Sequence, residues 1–277
     1  MRNAPDRGFL WRMEKDSRVS YLFGTMHVAK FEWMFPGPAV HRALMASDTV
    51  ALELDMLDPQ VQRRLGEVMT KAGASPPSDD VAARLKRQAQ AACVDAAALA
   101  RLNPLLQVMT LSLLAARHEG LDPQYGIDLF LAGFARAAGK SVVSLETPEA
   151  QMRTLLEGDA AQTEALLLQG LADLEAQLLA PRLMRIAQVW ADADHARLAS
   201  YAQWCECLET AADQDFLTRL LDARNPALAA RIEQLHASSR GVFAAVGSLH
   251  MTGPASLPTL LRERGFHVER IELQRRD

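Results

Sequence analysis

The chain has 277 residues, of which 49% are hydrophobic and 23% charged, with a formal net charge of −4 at pH 7. This length can bury a full core, as one large domain or two small ones, and the composition is typical of a globular protein. The small negative charge provides no concentrated basic face, so we expect no nucleic-acid partner.

The N-terminal residues and the cysteines bear on localisation. Residues Met1–Lys15 carry charges throughout and lack the apolar run of a secretory signal. No segment approaches the roughly 18 uninterrupted apolar residues that cross a bilayer. Three cysteines, Cys93, Cys205 and Cys207, cannot form a paired framework, and they lack the spacing of a thiolate metal site. We therefore expect reduced thiols in a cytoplasmic protein without a membrane span.

Strand-like runs come from both ends and from the middle of the chain. The β-prone runs Phe9–Glu14 and Val19–Phe23 flank a short polar connection and predict a β-hairpin. Later strands are predicted over Thr49–Leu54, Ser141–Glu146, Val242–Val246 and His267–Leu273. A helix over Pro258–Arg264 separates the last two strands, which is typical of a crossover connection.

Two long stretches are rich in alanine, leucine and arginine and predict helices without strands. The first covers about 58–124, is interrupted by prolines such as those within Ser75–Ser78, and indicates about three helices. The second covers about 148–238. The sequence therefore predicts an α/β protein with a small mixed central sheet, interrupted by two large helical blocks, in one interleaved domain over residues 1–277.

Four predicted strands end at side chains that can perform chemistry. His27 and His250 each follow a strand-ending glycine by three residues, in Gly-Thr-Met-His and Gly-Ser-Leu-His. Glu53 and Glu146 lie at the ends of two other strands. If the strands run parallel, their carboxyl ends share the edge where α/β proteins bind ligands. Two imidazoles with one or two carboxylates are a common ligand set for a transition metal that activates water.

The same side chains are compatible with roles that need no metal. A carboxylate could orient one histidine, which would take a proton from water or from a substrate hydroxyl. Glu146 precedes Thr147-Pro148 and could cap the next helix, and Asp128 is an N-cap on position alone. The chain contains no Walker loop, G-x-G-x-x-G, G-x-S-x-G or H-E-x-x-H motif.

Two surfaces are open to more than one interpretation. The aromatic side chains of Phe31–Pro38 could cover a pocket or pack against the sheet. Apolar helices in both blocks could pack within the chain or against a second copy, which would make the protein a homo-oligomer.

Taken together, these motifs resemble the TraB/PrgY/GumN family. The resemblance is carried by Leu22–His27, Leu52–Asp55, Tyr125–Asp128, Leu145–Gln151, Arg224-Asn225 and Val246–Pro254. It spans nearly the whole chain, although the helical blocks are only loosely similar. The family includes the Tiki metalloproteases that inactivate Wnt, and it is distantly similar to erythromycin esterase-like and ChaN-like proteins.

The resemblance implies a metal-dependent hydrolase, a peptidase above all, acting on a peptide or on a small amide or ester. The implied cofactor is a divalent transition metal, namely Mn, Co or Zn. The implied metal ligands are His27, His250, Glu53 and Glu146, with Glu53 as ligand or general base. Asp128 and Arg224 would lie at the pocket rim as orienting or charge-stabilising groups. The implied catalytic residues are Glu53, His27, Arg224 and Asp128.

The relatives leave two alternatives. ChaN-like proteins suggest a non-catalytic protein, in which the histidines hold a ligand such as haem or the site serves regulation. Erythromycin esterase-like proteins suggest an esterase that uses histidine and glutamate without a metal.

Overall fold

A mixed six-stranded sheet forms the centre of the protein in the computed structural model, which describes residues 4–71 and 76–273. The strands are β1 (Phe9–Lys15), β2 (Arg18–Thr25), β3 (Thr49–Leu52), β4 (Ser141–Ser144), β5 (Val242–Gly247) and β6 (His267–Ile271). Their order across the sheet is β4-β3-β5-β2-β1-β6. Neighbouring strands therefore come from distant parts of the chain, and the predicted α/β class is confirmed.

The four strands that carry the predicted chemistry run parallel. β4 pairs with β3, β3 with β5, and β5 with β2, all in parallel register. Every residue of β3 is buried, and so are the first five residues of β5, as is typical of a parallel sheet covered on both faces. The carboxyl ends of these four strands consequently lie along one edge of the sheet.

The predicted hairpin joins β1 to β2 through a two-residue turn. Lys15 pairs with Arg18, and the intervening Asp16 and Ser17 have φ angles of 50° and 58°. Two consecutive positive φ angles are those of a type I′ turn, whose twist suits a two-residue hairpin. The hairpin leaves the other side of β1 free to pair with β6 in antiparallel register.

Helices cover the sheet and form both predicted blocks. In chain order they are α1 (Pro38–Ala46), α2 (Pro59–Lys71), α3 (Asp79–Ala91), α4 (Ala96–Leu99), α5 (Pro104–Leu114), α6 (Ile127–Ala137), α7 (Pro148–Leu156), α8 (Ala160–Glu175), α9 (Leu179–Ala191), α10 (His195–Ala199), α11 (Tyr201–Trp204), α12 (Ala211–Leu220), α13 (Asn225–Ser238) and α14 (Leu257–Glu263). Helix α14 joins β5 to β6, which run in the same direction with β2 and β1 between them.

The first helical block contains one helix more than the sequence indicated. Four helices, α2 to α5, lie in its described part, where about three were expected. The extra helix is the single turn α4, which begins because the Asp95 carboxylate accepts the backbone N–H groups of Ala97 and Ala98. The predicted break at Ser75–Ser78 lies partly outside the described residues, and α3 begins after Ser78.

Two hydrophobic cores stabilise the fold. The larger core surrounds the sheet and contains β-strand residues such as Leu22 and Phe243. A smaller core joins α3, α4, α5 and α8 through buried side chains that include Leu85, Leu111 and Leu171. The helical blocks therefore carry a core of their own, separate from the one that holds the sheet.

The aromatic loop after β2 packs against neighbouring rings. Phe31 makes an edge contact with Tyr125, Phe35 with Phe130, and Trp33 stacks at a tilt on Trp190. These contacts favour the packing interpretation of the loop.

The cysteines differ from the sequence-based expectation. Cys205 and Cys207 form a disulfide, so the prediction that these two are reduced thiols is wrong. Glu206 between them has a φ of 54°, and this left-handed turn brings the two Cα atoms within 5.1 Å of each other. Cys93 is a free thiol, as expected, but it is exposed and does not lie in the core. Among the described residues, no helix is long and apolar enough to span a membrane.

Candidate active site

The register of the parallel strands determines which strand ends meet. Leu52 pairs with Ser144, and the pairing continues as the Glu146 backbone N–H donates to the Glu53 carbonyl at 3.1 Å. This places the two glutamates side by side. On the other flank Thr25 pairs with Gly247, so Gly24 lies opposite Val246 rather than opposite Gly247. The two glycine-x-x-histidine motifs are therefore offset by one residue, and their histidines enter different environments.

His27 is held in one orientation by a carboxylate. Its Nδ1 lies 2.8 Å from Oδ2 of Asp128, while Oγ1 of Thr25 donates to Oδ1 of the same carboxylate at 2.7 Å. Asp128 is not an N-cap, since Gly126 occupies that position before α6. The His27 side chain remains 57% exposed, and its Nε2 is left to face the space above the sheet edge.

The charges around His27 favour its protonated form. The ring lies in the wall of a cavity, and its partial loss of hydration works against protonation; the carboxylates of Asp128 and Glu53 outweigh this and raise the pKa of His27 to about 9. At neutral pH the imidazolium is therefore the major form. The neutral form, in which Nδ1–H donates to Asp128, has its lone pair on Nε2.

Glu53 is a buried carboxylate with both oxygens engaged. Oε1 accepts the Gly247 backbone N–H at 2.8 Å, and Oε2 accepts Nη2 of Arg224 at 2.5 Å. Burial opposes ionisation, but His250, which is charged only in acid, the positive charges of His27 and Arg224, and the Gly247 N–H lower the pKa of Glu53 to about 2. Glu53 is ionised throughout the physiological range.

Arg224 links the two glutamates at the bottom of the site. Its Nε donates to Oε2 of Glu146 at 3.0 Å, and its Nη2 donates to both glutamates. The expectation that Arg224 lies at the pocket rim is wrong, because only 7% of its side chain is exposed. Glu146 does not cap helix α7 either, since Thr147 does so. Burial raises the pKa of Glu146 despite its contact with the guanidinium.

His250 is enclosed by protein on both ring nitrogens. Its Nδ1 donates to Oδ1 of Asn225 at 2.6 Å, and the orientation of that amide is fixed by Nδ2, which donates to the Ala255 carbonyl at 2.9 Å. Its Nε2 lies 3.4 Å from Nη1 of Arg224. Burial, together with the positive charges of Arg224 and His27, lowers the pKa of His250 to about 4, although Glu53 opposes this. His250 is neutral at pH 7.

Three of these side chains converge above Gly247. A Cβ atom added to this glycine would lie 3.3 Å from Oε1 of Glu53, 3.7 Å from Cδ2 of His250 and 3.9 Å from Nε2 of His27. Glu53 and His27 thus present an oxygen and a nitrogen to one small space, whereas His250 presents a carbon. Only glycine leaves this space open.

The donor atoms do not fit the four-ligand metal centre implied by the family resemblance. Within residues 4–71 and 76–273, no group of three or more His, Cys, Asp or Glu side chains is arranged to hold a metal ion. Arg224 occupies the space between the two glutamates and faces Nε2 of His250. Of the four implied ligands, His27 and Glu53 alone direct donor atoms into common open space. Metal binding stays a prediction.

A cavity of about 730 Å³ lies above these groups, within the size range of small-molecule sites. His27, Glu53, Asp128 and Arg224 line it, and helices of both blocks supply the rest of its wall. Glu146 and His250 are not among its lining residues.

Two functional positions were missed by sequence reasoning. Thr25 and Asn225 lie inside the motifs that carry the family resemblance, yet neither was expected to have a role. Thr25 binds Asp128, the partner of His27. Asn225 binds His250 directly. Their positions next to residues already singled out were the available signal, but their partners depend on the fold.

Comparison with known proteins agrees with the resemblance that the motifs carry. No curated protein and no solved structure matches the chain. The model of the TraB/PrgY/gumN family matches residues 9–270, which is nearly the whole chain, and the chain therefore belongs to the TraB/PrgY/gumN family.

Proposed function

We propose that this chain is a hydrolase that cleaves an ester or amide bond at the carboxyl edge of the sheet. The observation that carries the proposal is that Nε2 of His27 and Oε1 of Glu53, two residues that line the cavity, lie 3.9 Å and 3.3 Å from the Cβ position of Gly247. An imidazole oriented by a carboxylate, next to a second carboxylate, is the arrangement of a general base with its supporting charges.

In this proposal His27 acts as the general base. Asp128 holds Nδ1–H, so the lone pair of Nε2 takes a proton from a water molecule near Gly247 as the water oxygen attacks the carbonyl carbon of the substrate. The imidazolium then gives this proton to the leaving alkoxide or amine as the C–O or C–N bond breaks. Glu53 accepts a hydrogen bond from the same water and stabilises the imidazolium that forms. Arg224 binds no substrate atom in this scheme, because it holds Glu53 in place from below.

The assignment predicts a characteristic pH dependence. Because the pKa of His27 is about 9, the neutral form is a minor species at pH 7. The rate should rise about tenfold per pH unit from pH 7 and level off near the pKa. A rate that is flat below pH 9 and falls above it would instead mean that His27 donates a proton.

Substitution of His27 tests the proposal. We expect His27→Gln to lower kcat/KM about 10²-fold to 10⁴-fold on a panel of nitrophenyl esters and nitroanilides. His267→Gln, the same change at an exposed position on β6, is the matched control and should leave kcat/KM unchanged. Equal rates for wild type and His27→Gln across the panel would contradict the proposal.

A second variant fills the reaction space. Gly247→Ala keeps the backbone N–H that Glu53 accepts but places a methyl group between Glu53 and His27. We expect kcat to fall about 10-fold to 100-fold while the fold is retained. Gly66→Ala on α2, where a Cβ meets no atom within 4 Å, serves as the control and should keep full activity.

The same assay tests the metal prediction. Activity that is lost after treatment with a strong chelator and restored by Mn, Co or Zn would establish a metal requirement. Full activity after chelation, together with loss in His27→Gln, would establish the metal-free esterase mechanism.

A further inference from the structure

We propose that the substrate carries an unbranched apolar chain, such as the acyl group of a fatty acyl ester or amide, which occupies the cavity between the two helical blocks. The inference rests on the proposed function for the bond that is cleaved. Binding of an apolar ligand depends only on the walls of the cavity, so it can be tested without hydrolysis.

The walls of the cavity are largely apolar. Helices α2, α5, α7 and α9 direct side chains into it, including Leu65, Met109, Leu113, Leu155, Leu183 and Ile186. Leu113 lines the cavity and is 40% exposed. An apolar ligand that covers this surface removes it from water, which makes the free energy of binding more favourable.

Several polar groups in the wall already have hydrogen-bond partners. Nη1 of Arg182 donates to Asp173 at 2.7 Å, although its buried Nε has no partner, and Asp213 accepts from the Thr210 backbone N–H in a capping box. A peptide in this cavity would bring one donor and one acceptor per residue, and each would need a partner. An alkyl chain brings neither. The wall therefore suits an acyl chain better than an extended peptide.

The charges at the floor suit an uncharged scissile group. Both cations at the floor, Arg224 and protonated His27, are paired with carboxylates: His27 contacts Asp128, and Arg224 contacts Glu53 and Glu146. An ester or amide at this position meets no large excess of either sign. The acyl chain would extend from this floor towards Leu113 and Met109 on α5.

A chain-length series tests the inference. For nitrophenyl acetate, butyrate, octanoate and dodecanoate, kcat/KM should rise about twofold to fourfold per added methylene until the cavity is filled. Leu113→Gln should flatten the rise for the long esters, so that the ratio of kcat/KM for dodecanoate to kcat/KM for acetate falls several-fold. Leu168→Gln is the matched control, because Leu168 is a helical leucine with 37% exposure that does not line the cavity.

Binding of an uncharged apolar fluorophore separates this inference from the proposed function. We expect N-phenylnaphthylamine to gain fluorescence on binding the wild type, to be displaced by dodecanol, and to bind Leu113→Gln several-fold more weakly. Fluorophore binding without hydrolysis of any ester would support the apolar binding cavity and contradict the proposed hydrolase activity. Hydrolysis that ignores chain length, without fluorophore binding, would overturn the inference and leave the hydrolase intact. Faster cleavage of peptide nitroanilides than of the long-chain esters would also overturn it.

Discussion

The carboxyl ends of β2 and β5 carry the same glycine-x-x-histidine motif in opposite surroundings. His27 is half exposed, is bound by the carboxylate of Asp128 and has a pKa raised to about 9. His250 is 3% exposed, is bound by the neutral amide of Asn225 and has a pKa lowered to about 4. Groups whose environments separate their pKa values this widely take different parts in a mechanism. The motif therefore identifies two positions, and the partner of each histidine decides what it does.

Removal of the guanidinium should have the largest effect on stability. Arg224→Met leaves Glu53 and Glu146 buried without a cation, so the free energy of unfolding should fall by about 3 to 5 kcal/mol. Arg64→Met is the control, since Arg64 pairs with Glu149 at the surface and should cost about 0 to 1 kcal/mol. Urea unfolding of both variants measures the difference. Equal losses would mean that Arg224 does not hold the ends of β3 and β4 together.

Acid should expose the buried histidine. Because folding lowers the pKa of His250 from 6.5 to about 4, the unfolded chain binds more protons than the folded one in this interval. Its contribution to stability is present above pH 6.5 and is lost as the pH falls towards 4, by an amount on the order of 3 kcal/mol. Urea titrations at pH 7 and pH 4 measure it, and His250→Gln should remove most of the slope. An unchanged slope in this variant would contradict a buried neutral His250.

Base should act on the other histidine with the opposite sign. The pKa of His27 is raised to about 9, so its contribution to stability is present below pH 6.5 and is lost as the pH rises through 9. We expect this effect to be smaller than that of His250, since solvent screens a half-exposed ion pair. His27→Gln should flatten the stability curve between pH 7 and pH 9. If the free energy of unfolding of His27→Gln fell more steeply than that of wild type between pH 7 and pH 9, a group other than His27 would cause the alkaline loss of stability.

The strand ends were predictable because their signals are local. Alternation, glycine punctuation and terminal polar residues located His27, Glu53, Glu146 and His250, and the parallel arrangement then brought them to one edge. The hairpin followed from two β-prone runs and a short polar connection.

The partners of those side chains were not predictable in the same way. Arg224 is the N-cap residue of helix α13 and reaches Glu53, 171 residues away in sequence, only because the fold brings the start of α13 to the end of β3. The one-residue offset between the two motifs depends on the register of β2 and β5, which neither strand encodes alone. The disulfide depends on the left-handed turn at Glu206, a conformation that glutamate seldom adopts.

The ionisation of the two imidazoles tests the central contrast most directly. Titration by NMR of selectively labelled protein, with resonances assigned through His27→Gln and His250→Gln, gives both pKa values in the folded chain. Our account predicts that His27 titrates near 9 and that His250 remains neutral until the pH approaches 4. Two histidines that both titrate near 6.5 would contradict it, because their partners would then make no difference to their chemistry.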